Sequence, residues 1–133
     1  MRLFENDFIQ IDFWSQDKIL HYTWLPDSAK MTDADFRHIL EQQMAFVLEH
    51  KPDNMLIDSR AFHFIMDEET QKWANRTMFP RYHEASVQKF AFILLPELYE
   101  HVKEAYLYED VSPEGFRTWY FDDPEAARCW LAP

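Results

Sequence analysis

The chain has 133 residues, of which 47% are hydrophobic and 17% aromatic, and 13 basic side chains stand against 24 acidic ones for a net charge of -11. That is ample core material for one folded domain over residues 1–133 and argues against disorder. The charge opposes binding to nucleic acid or to an anionic membrane surface. The single cysteine, Cys129, cannot form an internal disulfide, so nothing points to an oxidising compartment. The opening MRLFENDFIQ lacks the basic start and apolar run of a signal peptide, and no apolar stretch nears the roughly 20 residues of a membrane helix. A cytoplasmic protein that is not integral to a membrane is expected.

In chain order, Leu3 and Phe4 begin a short edge strand, and Asn6-Asp7 turns the chain. Residues 8–14 alternate, with Ile9, Ile11 and Phe13 on one face. Residues 18–25 alternate again around Leu20, Tyr22 and Trp24, so the two runs predict an antiparallel hairpin closed by residues 15–17. Pro26 ends the second strand. Thr32 with Asp35 resembles a capping box, and Phe36, Ile39, Leu40, Met44 and Val47 keep helical spacing over 33–50. Met55-Leu56-Ile57 is a continuous apolar run, as in a strand covered on both faces. Asp67 caps a second helix carrying Trp73, Ala74 and Met78, which Pro80 is expected to interrupt or kink. Residues 89–95 form a buried strand ended by Pro96. Leu98, Val102, Ala105 and Tyr106 mark a third helix, residues 116–121 a further strand, and Asp123-Pro124 the start of a last helix with Ala127, Trp130 and Leu131. The sum is α/β: a mixed sheet of about six strands with an antiparallel N-terminal hairpin and about four helices.

Ligands of open α/β sheets tend to bind beyond the carboxyl ends of the parallel strands. Those ends carry Asp58-Ser59-Arg60, Glu97 after Leu95-Pro96, and Asp122-Asp123. Converging carboxylates there would suit a divalent cation, which wants several oxygen ligands. Helix capping by Asp123, a first-turn position for Glu97 and pairing of Asp58 with Arg60 account for the same residues more simply. The six histidines are scattered without zinc-type spacing. His83, beside Glu84 and Arg81, reads as a surface residue, and Cys129 as a buried, inert thiol. There is no GxSxG, no CxxC and, with Gly115 the single glycine, no glycine-cradled phosphate loop. No enzyme signature, metal site or cofactor emerges. Trp24, Trp73, Trp119 and Trp130, with Phe79 and Tyr120, fill a core or line an apolar pocket. A partly exposed pair such as Trp73 and Phe79, close to Arg81, would suit a protein interface.

The hairpin ending in "TW", the "LIDSR" strand end, a helix running into "FPR", then "KFAFILLPE" and "YFDDPEAARCWL", together resemble the STAS/CRAL-TRIO-like, anti-sigma-factor-antagonist-like small domains of bacteria. The resemblance covers nearly the whole chain. It implies a STAS-like fold and a regulatory module that binds a partner and is phosphorylated on a serine at a helix N-terminus. The matching segment here, Met66-Asp67-Glu68-Glu69-Thr70, has no serine. Thr70 and the earlier Ser59 are the available hydroxyls, and acidic residues stand where a phosphate would lie. The expectation is a non-catalytic module, without the phosphoacceptor serine, that takes a protein partner or a small apolar ligand and can pair as a homodimer. Its binding residues would come from Asp58, Ser59, Arg60, Trp73, Phe79 and Arg81. The alternative is a small metal-dependent protein or enzyme using the acidic rim.

Overall fold

The computed structural model describes residues 1–105, 110–111 and 117–132. Three antiparallel strands open the chain: β1 (Arg2–Glu5), β2 (Ile9–Trp14) and β3 (Ile19–Trp24). A 3-10 turn at Pro26–Lys30 leads to α1 (Asp33–His50). Then follow β4 (Asn54–Asp58), α2 (Glu68–Glu84), β5 (Lys89–Ile93), α3 (Pro96–Ala105), the two-residue β6 (Asp110–Val111), β7 (Arg117–Phe121) and α4 (Pro124–Leu131). The strands form one mixed sheet in the order β1-β2-β3-β4-β5-β7-β6. β3, β4, β5 and β7 run parallel, and both outer pairs are antiparallel. The expected Tyr106 and Phe116 lie outside the described residues.

Helix ends follow local chemistry. Thr32 accepts from the Asp35 N–H at 3.1 Å while the Asp35 carboxylate accepts from the Thr32 N–H at 3.0 Å, a complete capping box. At the other end of α1, Lys51 takes the left-handed conformation at φ 48, a position usually given to glycine, and Pro52 prevents continuation. Asp67 accepts from Thr70 N at 2.7 Å and starts α2. α2 then runs unbroken from Glu68 to Glu84. Pro80 sits on its exposed side, where the missing N–H deprives only one carbonyl of its partner.

The strand pattern decides which sheet face is covered. On β2 and β3 one phase is buried, with Ile9, Ile11, Leu20, Tyr22 and Trp24 all 6% exposed or less. β4 is buried at every position. Its Met55 and Ile57 face the larger core with α1 and α2, while Leu56 faces the smaller one with Ile19, Ala91, Ile93 and, from α4, Ala127 and Leu131. The end of α4 is tied down by two side chains: Asn54 Nδ2 donates to Leu131 O at 2.8 Å, and Lys89 Nζ to Trp130 O at 2.9 Å. These bonds satisfy carbonyls the helix itself leaves open. Among the described residues, no helix is long and apolar enough to cross a membrane.

Candidate functional site

The end of β4 forms a closed ion pair. Asp58 lies opposite Thr23 of β3 and Ile93 of β5, with its side chain 12% exposed. Arg60 Nη2 donates to Oδ2 at 2.7 Å, Arg60 Nε to Oδ1 at 3.0 Å and the Arg60 backbone N–H to Oδ1 at 3.2 Å. Burial pushes the Asp58 carboxyl up, but the Arg60 side-chain bonds, its N–H and its charge together hold it below the usual range. In turn, the bond from Asp58 raises Arg60. Both carboxylate oxygens therefore face one guanidinium, a geometry that suits structure better than metal binding. Ser59, half-buried, donates its N–H to Ile93 O at 2.9 Å and accepts from Phe62 N at 3.1 Å, which starts the turn. The other strand-end acids stay with their own helices: Asp123 caps Glu125 N at 3.3 Å, and Glu97 lies in the first turn of α3. Among the described residues, no group of three or more His, Cys, Asp or Glu is placed to hold a metal ion.

Beyond this pair, residues 59–66 make a pinned loop. Ser28, fully buried in the 3-10 turn, donates its hydroxyl to Ala61 O at 3.0 Å and accepts from His63 N at 2.9 Å. The loop drops Phe62 and Phe64 onto an aromatic floor. Phe62 lies 4.7 Å from Trp24 and Phe64 stacks 5.0 Å from Phe36, ring centre to ring centre. Trp24 is thus core, 5% exposed, and the floor is filled ring on ring. The next residue, Ile65, points outward and is 91% exposed. Beyond the end of β5, Leu95 just before α3 and Leu98 within it are 45% and 49% exposed.

The remaining predicted residues spread along α2. Thr70 is 1% exposed, its N–H held by the Asp67 cap. Trp73 is half-buried, with the Arg37 guanidinium of α1 lying 4.9 Å over its ring. Arg81 is exposed in the last turn, about 12 Å along the helix from Trp73 at the usual rise. Phe79 lies on α2, its side chain outside the described set. The structure therefore joins Asp58, Ser59 and Arg60 and leaves Arg81 at the far end of the helix. It also corrects the reading of Cys129: the thiol is exposed, because α4 buries the Ala127 and Leu131 side and turns residue 129 outward.

Sequence reasoning missed two groups. One is the loop pinned by Ser28, whose alternating "FHFI" gives only a weak signal. The other is the polar phase of the hairpin, on the sheet face that α4 covers only in part. There Asp12 is paired with His21 in register, and Arg2 Nε donates to Asp12 Oδ1 at 2.7 Å. His21 lies 3.3 Å from Thr23 Oγ1 and 4.7 Å from the Trp14 ring. Burial lowers its pKa; Asp12 and Asp58 oppose that, while Arg128 and Arg2 add to it. Inside the larger core, the Gln43 amide N–H donates to the Tyr82 hydroxyl beside Tyr22, and burial raises both phenols. Gln43 Oε1 is buried without a hydrogen-bond partner.

Fold and rim together define an α/β protein with a mixed sheet, helices on both faces and an apolar loop raised at the carboxyl ends of its strands. No family model, curated protein or solved structure matches the chain.

Proposed function

We propose that the chain is a non-catalytic, cytoplasmic binding module, resembling STAS domains, that holds a protein partner at the carboxyl rim of its sheet. The observation that carries this reading is Ile65: 91% exposed, at the tip of a loop pinned by Ser28 over a filled aromatic floor. A large aliphatic side chain held in water by an ordered platform gains free energy only when something covers it. Leu95 and Leu98 extend the apolar surface. Around it the helix starts bear Asp67, Glu68, Glu69 and Glu97. The partner surface is accordingly apolar and basic. A symmetric homodimer through this rim would set acids against acids, so the rim favours a different chain over a second copy. A small apolar ligand has less support, since the rings beneath the loop pack against one another.

The module works without a phosphoacceptor in this reading. Thr70 is buried, and Asp67 to Glu69 supply charge at the helix start. The metal-dependent alternative has less support, because Arg60 occupies both oxygens of the best-placed carboxylate.

A photo-crosslinking residue in place of Ile65 tests the reading in cells of the protein's own source. The expected result is a discrete adduct with one other protein, absent when the same residue replaces Glu41 on the exposed side of α1. No adduct at position 65, or the same adducts from both positions, would remove the proposal.

A further inference from the structure

The sheet ends in two edge strands. β6 closes one side with only two residues, and β1 forms the other, with its outer side unpaired among the described residues. An unpaired strand edge is a template for a further strand. The bonds to β2 show which backbone groups of β1 face outward. Met1 and Phe13 exchange both backbone bonds, at 2.8 and 3.1 Å, and the Asn6 N–H donates to Ile9 O at 3.0 Å. Bonded and unbonded pairs alternate along an antiparallel ladder. Arg2, opposite Asp12, and Glu5, opposite Gln10, therefore turn their own N–H and C=O groups to the edge.

The same two residues carry opposite charges on one face. An extra residue, Leu3, stands between the Arg2–Asp12 and Phe4–Ile11 pairs. This bulge brings Arg2 and Glu5 to the same side of the sheet. There Arg2 Nε donates to Asp12 at 2.7 Å, Gln10 Nε2 donates to Glu5 at 2.9 Å, and Arg2 Nη1 lies 3.4 Å from Glu5. Leu3 and Phe4, half-buried, pack toward the larger core, with Phe4 6.4 Å from Phe46 of α1. A bulge commonly blunts an edge by twisting it away from a regular strand. A second copy brings the same bulge, so the outward groups of Arg2 and Glu5 recur at matching spacing. Arg-Leu-Phe-Glu laid antiparallel to itself sets each Arg2 opposite the partner's Glu5.

We propose that two copies of the chain join edge to edge through β1, antiparallel about a two-fold axis, into one continuous sheet. Arg2 and the partner's Glu5 exchange backbone bonds and face each other as a charge pair, and the axis repeats the pair. The axis passes between Leu3 and Phe4, whose side chains from the two copies cover one another. Arg2 keeps its bond to Asp12, because a guanidinium has donors for more than one carboxylate. An unrelated strand would need an acid and a base at the same bulged spacing; a second copy supplies both. The surface shares no residue with the rim, so the two readings stand or fall separately.

Sedimentation equilibrium of the full chain tests this, at about 0.15 M salt so that charges are screened beyond about 8 Å. The parent is expected to pass from monomer to dimer between micromolar and millimolar concentration. Glu5→Pro removes an outward N–H without touching the ladder to β2 and should stay monomeric. Arg2→Glu and Glu5→Arg each set like charges across the axis, and each alone should associate about tenfold more weakly than the parent. Glu5→Arg also lowers the net negative charge, so a loss there cannot come from overall repulsion between copies. Mixed in equal amounts, the two variants restore opposite charges at both pairs and should associate as tightly as the parent. Misfolding of either variant would not produce that recovery. A parent that stays monomeric throughout, a Glu5→Pro chain that dimerises like the parent, or a mixture no tighter than its components overturns the proposal.

Discussion

The two faces of the sheet are covered differently. Over β2, β3, β4 and β5, one face meets α1 and α2 and forms a large core that runs from Ile9 to Phe90. Among the described residues, the other face meets the eight-residue α4, which packs on β4, β5 and β7, reaches Ile19 and Trp14 at the near end of the hairpin and leaves the rest of the hairpin half-exposed. The same strands serve both. On β2 the buried positions alternate with half-buried ones, whereas on β4 every position is buried. Stability is concentrated on the first face, and chemistry collects where the second is uncovered. Arg2, Asp12, His21 and Thr23 lie on that open face, Asp58 ends it at the rim, and Arg128 with Trp14 borders it at the opposite end.

Truncating one buried side chain on each face provides the strongest way to break this contrast. Met55, fully buried, faces α1 and α2. Met55→Ala leaves a cavity between a sheet and two helices that cannot close on it, and should cost about 2–5 kcal/mol in urea unfolding. Leu131→Ala removes a similar volume from the face under α4. A terminal eight-residue helix can settle toward the gap, so the loss should fall at the low end of the same range, about 2–3 kcal/mol. Equal losses would mean that α4 is as rigidly held as α1 and that the faces differ in area alone.

The contrast was partly legible in the sequence. Alternation in residues 8–14 and 18–25 marks a one-sided hairpin, and the unbroken run Met55-Leu56-Ile57 marks a strand covered twice, because a side chain's face depends only on its parity along the strand. Capping by Thr32, Asp67 and Asp123 was equally local, since each bond spans two or three residues. What lay hidden depends on long-range contacts. Ser28 reaches Ala61 and His63 across more than thirty residues, and nothing near Ser28 announces a clamp. The Arg128 stack on Trp14 joins opposite ends of the chain. The outward turn of Cys129 depends on which side of a short helix meets the sheet, and the apolar Trp130 and Leu131 that follow it did not settle it.

A smaller effect probes the rim, where the two faces meet. Arg60→Ala removes the guanidinium from Asp58 and leaves the buried carboxylate with only the backbone N–H of residue 60. Because Arg60 is 43% exposed and solvent screens the pair, the expected loss near pH 7 is about 1 kcal/mol. The pH dependence carries the sign. The folded carboxyl of Asp58 lies below its unfolded value, so the pair's contribution is complete above about pH 3.9 and disappears as pH falls through the lower folded value. In Arg60→Ala, burial is opposed only by the residue-60 N–H and by His21, and the carboxyl rises, so the variant should lose stability at higher pH than the parent during acid titration followed by circular dichroism. Coincident acid curves would show that Asp58 owes nothing to Arg60.

The smallest effect belongs to the uncovered face itself. His21 is half-buried between Trp14 and Thr23, faced by Asp12 from β2 and by Asp58, Arg2 and Arg128 at greater range. Burial is the leading influence and favours the neutral ring, so the folded pKa lies below the unfolded value of about 6.5. Between those two values the unfolded chain binds the extra proton. Stability is therefore complete above about pH 6.5 and declines as pH falls toward the folded pKa, below which this contribution levels off. His21→Gln keeps a polar side chain in contact with Thr23 but cannot titrate, so the slope of thermal midpoint against pH between about 6.5 and 5 should flatten relative to the parent. The direction distinguishes two accounts of this face. If Asp12 and Asp58 governed the ring, its folded pKa would be raised, and the parent would gain stability over the same fall in pH. A declining slope that His21→Gln removes would show that a sheet face only partly covered by a helix is still dry enough around Trp14 to exclude a charge.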